Sequence, residues 1–210
     1  MLKTLLLSLG CAILLTAPGK AIAEEPPIAA AADKTSPLKV GEQVSDLKLK
    51  NASGEEVTLA SLYEKQPVVL VFFRGGWCPI CSRHTGELIK AYPEMKKLGA
   101  EMVGISPDSV ESSKANVDKN SIVFPILSDS DVSAARAFGL AFIVDDATIT
   151  RYKEFGIDLE KASGQNHHAL PIPAVYIVDK TGKIAFAHSN PNYHQRLDTK
   201  TIIAQLKKIE

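Results

Sequence analysis

Val68-Val69-Leu70-Val71-Phe72-Phe73-Arg74-Gly75-Gly76-Trp77-Cys78-Pro79-Ile80-Cys81 decides how the chain is read. Residues 67–73 form an unbroken run, opened by Pro67, of β-branched, aliphatic and aromatic side chains. Such a run reads as a central strand covered on both faces. Gly75 and Gly76 end it. A helical stretch follows from about Cys78 to Lys97, with Leu88, Ile89 and Tyr92 on one side and Pro93 expected to kink or restart it. Cys78 then falls at or near a helix N-terminus, where free N–H groups and the helix dipole favour a thiolate. Pro79 sits in the first turn, where its missing N–H costs nothing. The i, i+3 spacing lets Cys78 and Cys81 meet across one turn and form a reversible disulfide. Arg74, in the turn just before, is placed to stabilise a thiolate.

Three plainer readings compete. A structural disulfide over so short a loop would constrain the unfolded chain little. A zinc site wants four ligands, and apart from Cys11 near the N-terminus only these two cysteines stand with scattered histidines. Inert core thiols would give no reason for the paired spacing.

Upstream, Val44 to Leu49 alternates apolar and polar, Asn51-Ala52-Ser53-Gly54 turns, and Val57 and Leu59 resume, which predicts a hairpin. Downstream, strands are expected at 101–105 and 122–127. A helix is expected from Pro107-Asp108 to about Asp118, and another over 132–138 with Ser130-Asp131 at its N-cap. Residues 139–170 are expected to hold a helix plus a loop. Ala174 to Val178 is a strand, Asp179 to Gly182 a hairpin turn, Lys183 to His188 the return strand, and Thr199 to Lys208 a closing helix with Ile202, Ile203 and Leu206 inward. The order predicts an α/β fold: a central mixed sheet, largely parallel with an antiparallel end, flanked by helices, with an N-terminal β-hairpin extension.

The chain has 210 residues, 45% hydrophobic and 23% charged, enough for one domain with a real core. Lys plus Arg (24) balances Asp plus Glu (24), so no basic excess points to nucleic acid. Met1-Leu2-Lys3, the apolar run Leu5 to Leu15 and Ala21-Ile22-Ala23 make the three-part pattern of a secretory signal peptide over residues 1–23. That run is too short to span a bilayer, so no stable membrane insertion is expected. Cys11 offers an alternative as a lipid-attachment cysteine, but Ser8-Leu9-Gly10 lacks the usual aliphatic residue three places before it. Removal of 1–23 takes away Cys11, Lys3 and Lys20 and leaves a slightly acidic chain whose cysteines are 78 and 81. Export to an oxidising compartment, the periplasm first and the exterior second, would let a disulfide persist. Residues 24–37, rich in Ala, Pro and charge, read as a flexible leader. Residues 38–210 read as one domain.

With these residues in view, Val68 to Cys81 resembles the AhpC/TSA, peroxiredoxin-like branch of the thioredoxin superfamily. The lead-in Leu38-Lys39-Val40-Gly41-Glu42-Gln43-Val44 resembles it too, as does Leu170-Pro171-Ile172-Pro173-Ala174-Val175-Tyr176-Ile177-Val178-Asp179. The resemblance covers about residues 38–208 and implies a thioredoxin-like fold with a W-C-x-x-C site around Trp77. It also implies a cis Ile172–Pro173 bond packed beside the cysteines. It implies a thiol-dependent peroxidase that reduces a hydroperoxide through a Cys78/Cys81 dithiol–disulfide cycle, re-reduced by a thioredoxin-like protein or another thiol. No metal or other cofactor is implied, because sulfur carries the electrons.

The family's Pro-x-x-x-Thr-x-x-Cys loop, laid over this chain, puts Arg74 at the proline, Cys78 at the threonine and Cys81 at the peroxide-attacking cysteine. Thioredoxin logic instead makes Cys78, as the more exposed sulfur, the attacker and Cys81 the resolver. Relatives with selenocysteine at the first position favour Cys78. The family's later arginine has no clear match around Pro173. His167 and His168 are candidate proton carriers, Arg83 and His84 follow the cysteines on the same helix, and Pro191-Asn192-Tyr193 and Arg196 read first as structural. Two other functions stay open: an exported thiol–disulfide oxidoreductase acting on protein cysteines, and a non-enzymatic binding domain.

Overall fold

The computed structural model describes residues 26–209. The expected signal peptide, with Cys11, lies outside the described residues. A seven-stranded mixed sheet forms the body. Its strands are β1 (Lys48–Asn51), β2 (Glu56–Thr58), β3 (Val68–Phe72), β4 (Glu101–Ser106), β5 (Ile126–Ser128), β8 (Ala174–Val178) and β9 (Ile184–Ser189), in the order β2-β1-β5-β4-β3-β8-β9. β3, β4 and β5 run parallel, and the outer pairs are antiparallel. This is the mixed α/β sheet with an N-terminal hairpin that the sequence pattern implies, but it is not largely parallel with one antiparallel end: two of its six pairs are parallel and both ends are antiparallel. A second, two-stranded sheet pairs β6 (Ala141–Ile143) with β7 (Ala169–Pro171).

β3 is buried at all five positions. Val68, Leu70 and Phe72 face one core, with Leu59, Phe138 and Tyr176. Val69 and Val71 face the other, with Cys78, Cys81, Leu88, Met95 and Ile202. Each such side chain contributes on the order of 1.5–3 kcal/mol by leaving water. The second core lies under helix α2 (Pro79–Lys97), which packs on α7 (Thr199–Leu206). α2 runs on through Pro93 without restarting, with Leu88 and Met95 buried on both sides of that residue.

Several elements differ from expectation. Leu59 opens a short helix, α1 (Leu59–Tyr63), rather than continuing the hairpin, because the Thr58 hydroxyl caps the Ser61 N–H. The strand expected over 122–127 is confined to β5, since Pro125 has no N–H and the Ile122 N–H turns back to Val117. α3 (Val110–Asn120) starts behind a Ser109 cap. At α4 (Ser133–Ala137) the Asp131 carboxylate accepts from the Ser133 N–H at 3.1 Å, and the Asp129 carboxylate, outside the expected Ser130-Asp131 pair, accepts from the Ala134 and Ala135 N–H groups at 2.8 and 2.9 Å. The region 139–170 holds β6, β7 and two helices, α5 (Asp146–Glu154) and α6 (Leu159–Ser163), capped by Asp145 and Asp158.

The leader is docked, contrary to the expectation of a free segment. Ala29 bridges β6, donating to Ala141 O at 2.9 Å and accepting from Ile143 N at 2.9 Å. Ser36 and Leu38 donate to the Gly139 and Phe138 carbonyls, and Ala32–Lys34 form a 3₁₀ turn. Low-complexity composition was misleading here, because backbone groups alone supply most of these bonds.

The Ile172–Pro173 bond is trans, as is every peptide bond among the described residues, which corrects the cis expectation. The chain runs straight from β7 into β8, with the Ile172 N–H held by Leu140 O and the Pro173 carbonyl accepting from Asn190.

Candidate active site

The turn from β3 into α2 places the cysteines. Cys78 is the N-cap of α2, with extended backbone (φ −85°, ψ 115°) and Pro79 inside the first turn. Its Sγ accepts from the Cys81 N–H at 3.4 Å, so the sulfur takes the place that a Ser or Asp oxygen takes at an ordinary cap. The position requires Gly75, whose φ is +144°. A Cβ there would lie 2.2 Å from the Trp77 indole nitrogen and 2.7 Å from Asp108 Oδ1.

Both cysteines are free and buried, at 1% and 2% exposure. Cys78 is therefore not the more exposed sulfur, and exposure does not separate the pair. Protonation does. The hydrogen bond from Cys81, aided by the Cys81 backbone N–H and the positive charges of Arg74 and Arg196, outweighs burial and brings the Cys78 thiol down to about 6. Burial, with the Cys78 sulfur beside it, pushes the Cys81 thiol well up. One sulfur is a thiolate at neutral pH and its neighbour a thiol that donates to it.

Arg74 is buried. Its guanidinium lies over the rings of Tyr193 (4.0 Å), Trp77 (5.2 Å) and Tyr152 (5.4 Å) and donates to the Tyr152 hydroxyl. Among the described residues no carboxylate pairs with it. Ring faces offset part of the desolvation cost of its charge, each worth on the order of 2 kcal/mol when water is excluded. Arg74, Tyr152, Tyr193 and Pro173 line a largely apolar cavity of about 190 Å³, with Phe142, Ile172 and leader residue Ala32.

Sequence reasoning missed Arg196. It was read as structural, yet its Nη2 donates to Cys81 Sγ at 3.4 Å while its Nε holds the Tyr193 carbonyl at 2.9 Å. Segment 190–197 thus brings one aromatic face to Arg74 and one cation to Cys81. An arginine five residues beyond Pro191 in a polar loop gives no local signal of this.

The other candidates disperse. Arg83 is exposed. His84 is buried, its ring nitrogen 3.0 Å from Leu197 O, and burial lowers its basicity. His167 Nδ1 accepts from Ala169 N, so Nε2 is its donor, to Ser130 O at 2.8 Å. His168 pairs with Glu160 at 2.8 Å. Neither histidine contacts a sulfur.

The AhpC/TSA family matches residues 40–187. The chain belongs to the AhpC/TSA family. The chloroplastic peroxiredoxin Q of Sedum lineare is 30% identical over 142 residues, 68% of this chain and 64% of the relative, so the chain spans a little under two thirds of that relative's length. Two solved structures share the fold. Peroxidoxin BcpB of Mycobacterium tuberculosis has a TM-score of 0.64 at 22% identity, over 82% of this chain and 99% of that one. A cysteine-to-serine mutant of Xylella fastidiosa PrxQ has a TM-score of 0.65 at 20% identity, over 82% and 98%. Among the described residues no helix is long and apolar enough to cross a membrane.

Proposed function

We propose that this member of the AhpC/TSA family is a thiol-dependent peroxidase with Cys78 as the attacking sulfur. The observation that carries the assignment is the split within one dithiol, a thiolate at Cys78 and a protonated Cys81 within hydrogen-bonding reach. The Cys78 thiolate attacks the outer oxygen of a hydroperoxide, the O–O bond breaks, and with one proton taken up Cys78 becomes a sulfenic acid while an alcohol or water leaves. Cys81 then displaces hydroxide from Cys78 to give the disulfide and water. A thioredoxin-like protein or another external thiol restores both thiols by exchange. Peroxiredoxin relatives support the substrate class. The pattern of residues 1–23 supports export, with the periplasm as the working compartment.

The test is one equivalent of hydrogen peroxide added to the reduced protein under rapid mixing. Peroxide consumption far faster than a free thiolate, ending in a Cys78–Cys81 disulfide, is expected; a rate no better than a free thiol overturns the assignment. The same split also suits exchange with protein disulfides, since a low-pKa first cysteine attacks and leaves readily. That reading takes over if model protein disulfides react and peroxide does not.

A further inference from the structure

Asp108 follows β4 and is 1% exposed. One carboxylate oxygen, Oδ2, accepts the Gly76 N–H at 2.7 Å and so ties the carboxyl to the turn that carries Trp77 and Cys78. The other, Oδ1, is buried with no hydrogen bond of good geometry, and Ser106 and Trp77 nearby ease its charge only in part. It faces the space beside Gly75 into which the Trp77 indole nitrogen also projects. No cation pairs with this carboxyl among the described residues. A buried carboxylate left this way is costly, and a proton on Oδ1 removes most of the cost. Asp108 also belongs to the wall of a solvent-open groove of about 350 Å³, lined as well by Gly76, Trp77, Asn116 and Lys119, so water comes close to the buried carboxyl.

We propose that Asp108 is the redox-linked proton carrier of the Cys78–Cys81 pair, holding its proton more tightly while Cys78 is a thiolate and giving it up more readily once the disulfide has formed. The assignment rests on the dithiol cycle proposed above. The proton count supports it. A Cys78 thiolate, a Cys81 thiol and a hydroperoxide give a disulfide, an alcohol and water only if one further proton is supplied. With a protonated Asp108 as donor the reaction balances: the carboxyl ends as carboxylate, the O–O bond has broken, the S–S bond has formed, and the net charge is unchanged. Electrostatics run the same way. Burial first, and then the charge of the Cys78 thiolate, hold the Asp108 carboxyl up at about 6. Disulfide formation removes the second cause, so the carboxyl becomes the stronger acid when a proton is needed. The charged and titratable groups around Asp108 are Cys78 from the β3–α2 turn, Lys119 from α3, Asp158 at the N-cap of α6 and Lys161 within it, and His167 and His168 ahead of β7. Of these, only Cys78 changes charge in the redox step.

The experiment is infrared difference spectroscopy of the full chain near pH 6, reduced against disulfide, with oxidation by hydrogen peroxide in one sample and by diamide in another. The expected result is a protonated-carboxyl stretch present in the reduced protein, lost on oxidation by either reagent, and absent from Asp108→Asn. Asparagine can still accept the Gly76 N–H, so the turn is kept. No carboxyl change, or the same change in Asp108→Asn, overturns the proposal. Failure with peroxide alone while diamide gives the change sinks the peroxidase reading and leaves the proton linkage standing. If Asp108→Asn does not fold, a carbon-13 carboxyl titration of the wild type decides. Asp108 and Asp129 are the two aspartates raised by burial, to about 6 and about 7. One of these midpoints is expected to fall on oxidation, and identical midpoints in the two redox states overturn the assignment.

Discussion

Arg196 and Cys81 stand 115 residues apart in the chain, and the guanidinium of one donates to the sulfur of the other at 3.4 Å. The contact favours the thiolate form of a sulfur that burial keeps protonated, and its charge also reaches Cys78. Replacing Arg196 by leucine removes a charge-assisted hydrogen bond worth about 1.5–3 kcal/mol. The expected outcome is disulfide formation slowed by roughly 10- to 100-fold, with Cys78 titrating at a higher pH. Stopped-flow thiol loss and the thiolate absorbance read the two effects separately. An Arg196→Leu protein with wild-type rates and titration would confine Arg196 to holding the 190–197 loop through Tyr193.

The two cysteines are expected to fail differently. Cys78→Ser loses fast peroxide consumption altogether. Cys81→Ser still consumes one equivalent but stops at a sulfenic acid, trapped as a dimedone adduct on Cys78 and identified by mass spectrometry. The reverse pattern would make Cys81 the attacker, as the family's loop spacing suggests.

The attack step has a definite pH dependence. Cys78 titrates at about 6, below an ordinary thiol, so the reactive thiolate is abundant above that pH and is lost as pH falls through it. The second-order rate with hydrogen peroxide is expected to be level above about pH 7 and to fall by about tenfold per pH unit well below 6. A profile still rising between pH 8 and 9 would mean that the sulfur doing the work is an ordinary thiol.

How far the sequence revealed this site follows the range of the interactions. The run 68–81 is local: strand, glycine turn and helix start are encoded in contiguous residues, so β3, the Cys78 cap and the place of Arg74 beside it are legible. What escaped depends on distant pairings. Arg196 reaches Cys81 only because α7 packs on α2, and Tyr152 meets Arg74 only once it joins the cluster of Val144, Leu159, Leu170 and Trp77. Asp108 is an ordinary Pro-Asp at a helix start until burial strips one of its oxygens of partners. The cysteines' relative exposure was misread for the same reason, since helix-start residues are usually wet and here the second core closes over them.

Gly76 tests how tightly the turn is built. A Cβ there would lie 2.5 Å from the Asn116 Cγ and 2.6 Å from its Cβ, so alanine must push α3 away or shift the Cys78 loop. Gly76→Ala is expected to cost about 1–3 kcal/mol of stability in urea unfolding, with slower peroxide attack because the Gly76 N–H also holds Asp108. Wild-type stability and rate together would show that Asn116 yields freely.

The docked leader makes the last test. Ala29 forms a two-bond bridge to β6, and Ala32, three residues on, is part of the wall of the cavity beside Arg74. Ala29→Pro deletes the N–H that donates to Ala141 and leaves that carbonyl at a sheet edge, at a cost of about 1–3 kcal/mol. The bridge is local, so the global unfolding midpoint should move little while amide exchange at Ile143, which donates to the Ala29 carbonyl, rises by about tenfold or more. Because Ala32 then ceases to close the cavity, a bulky organic hydroperoxide should gain rate relative to hydrogen peroxide. Exchange at Ile143 that is already fast in the wild type would mean that the leader leaves β6 in solution, and the cavity would then be open without any substitution.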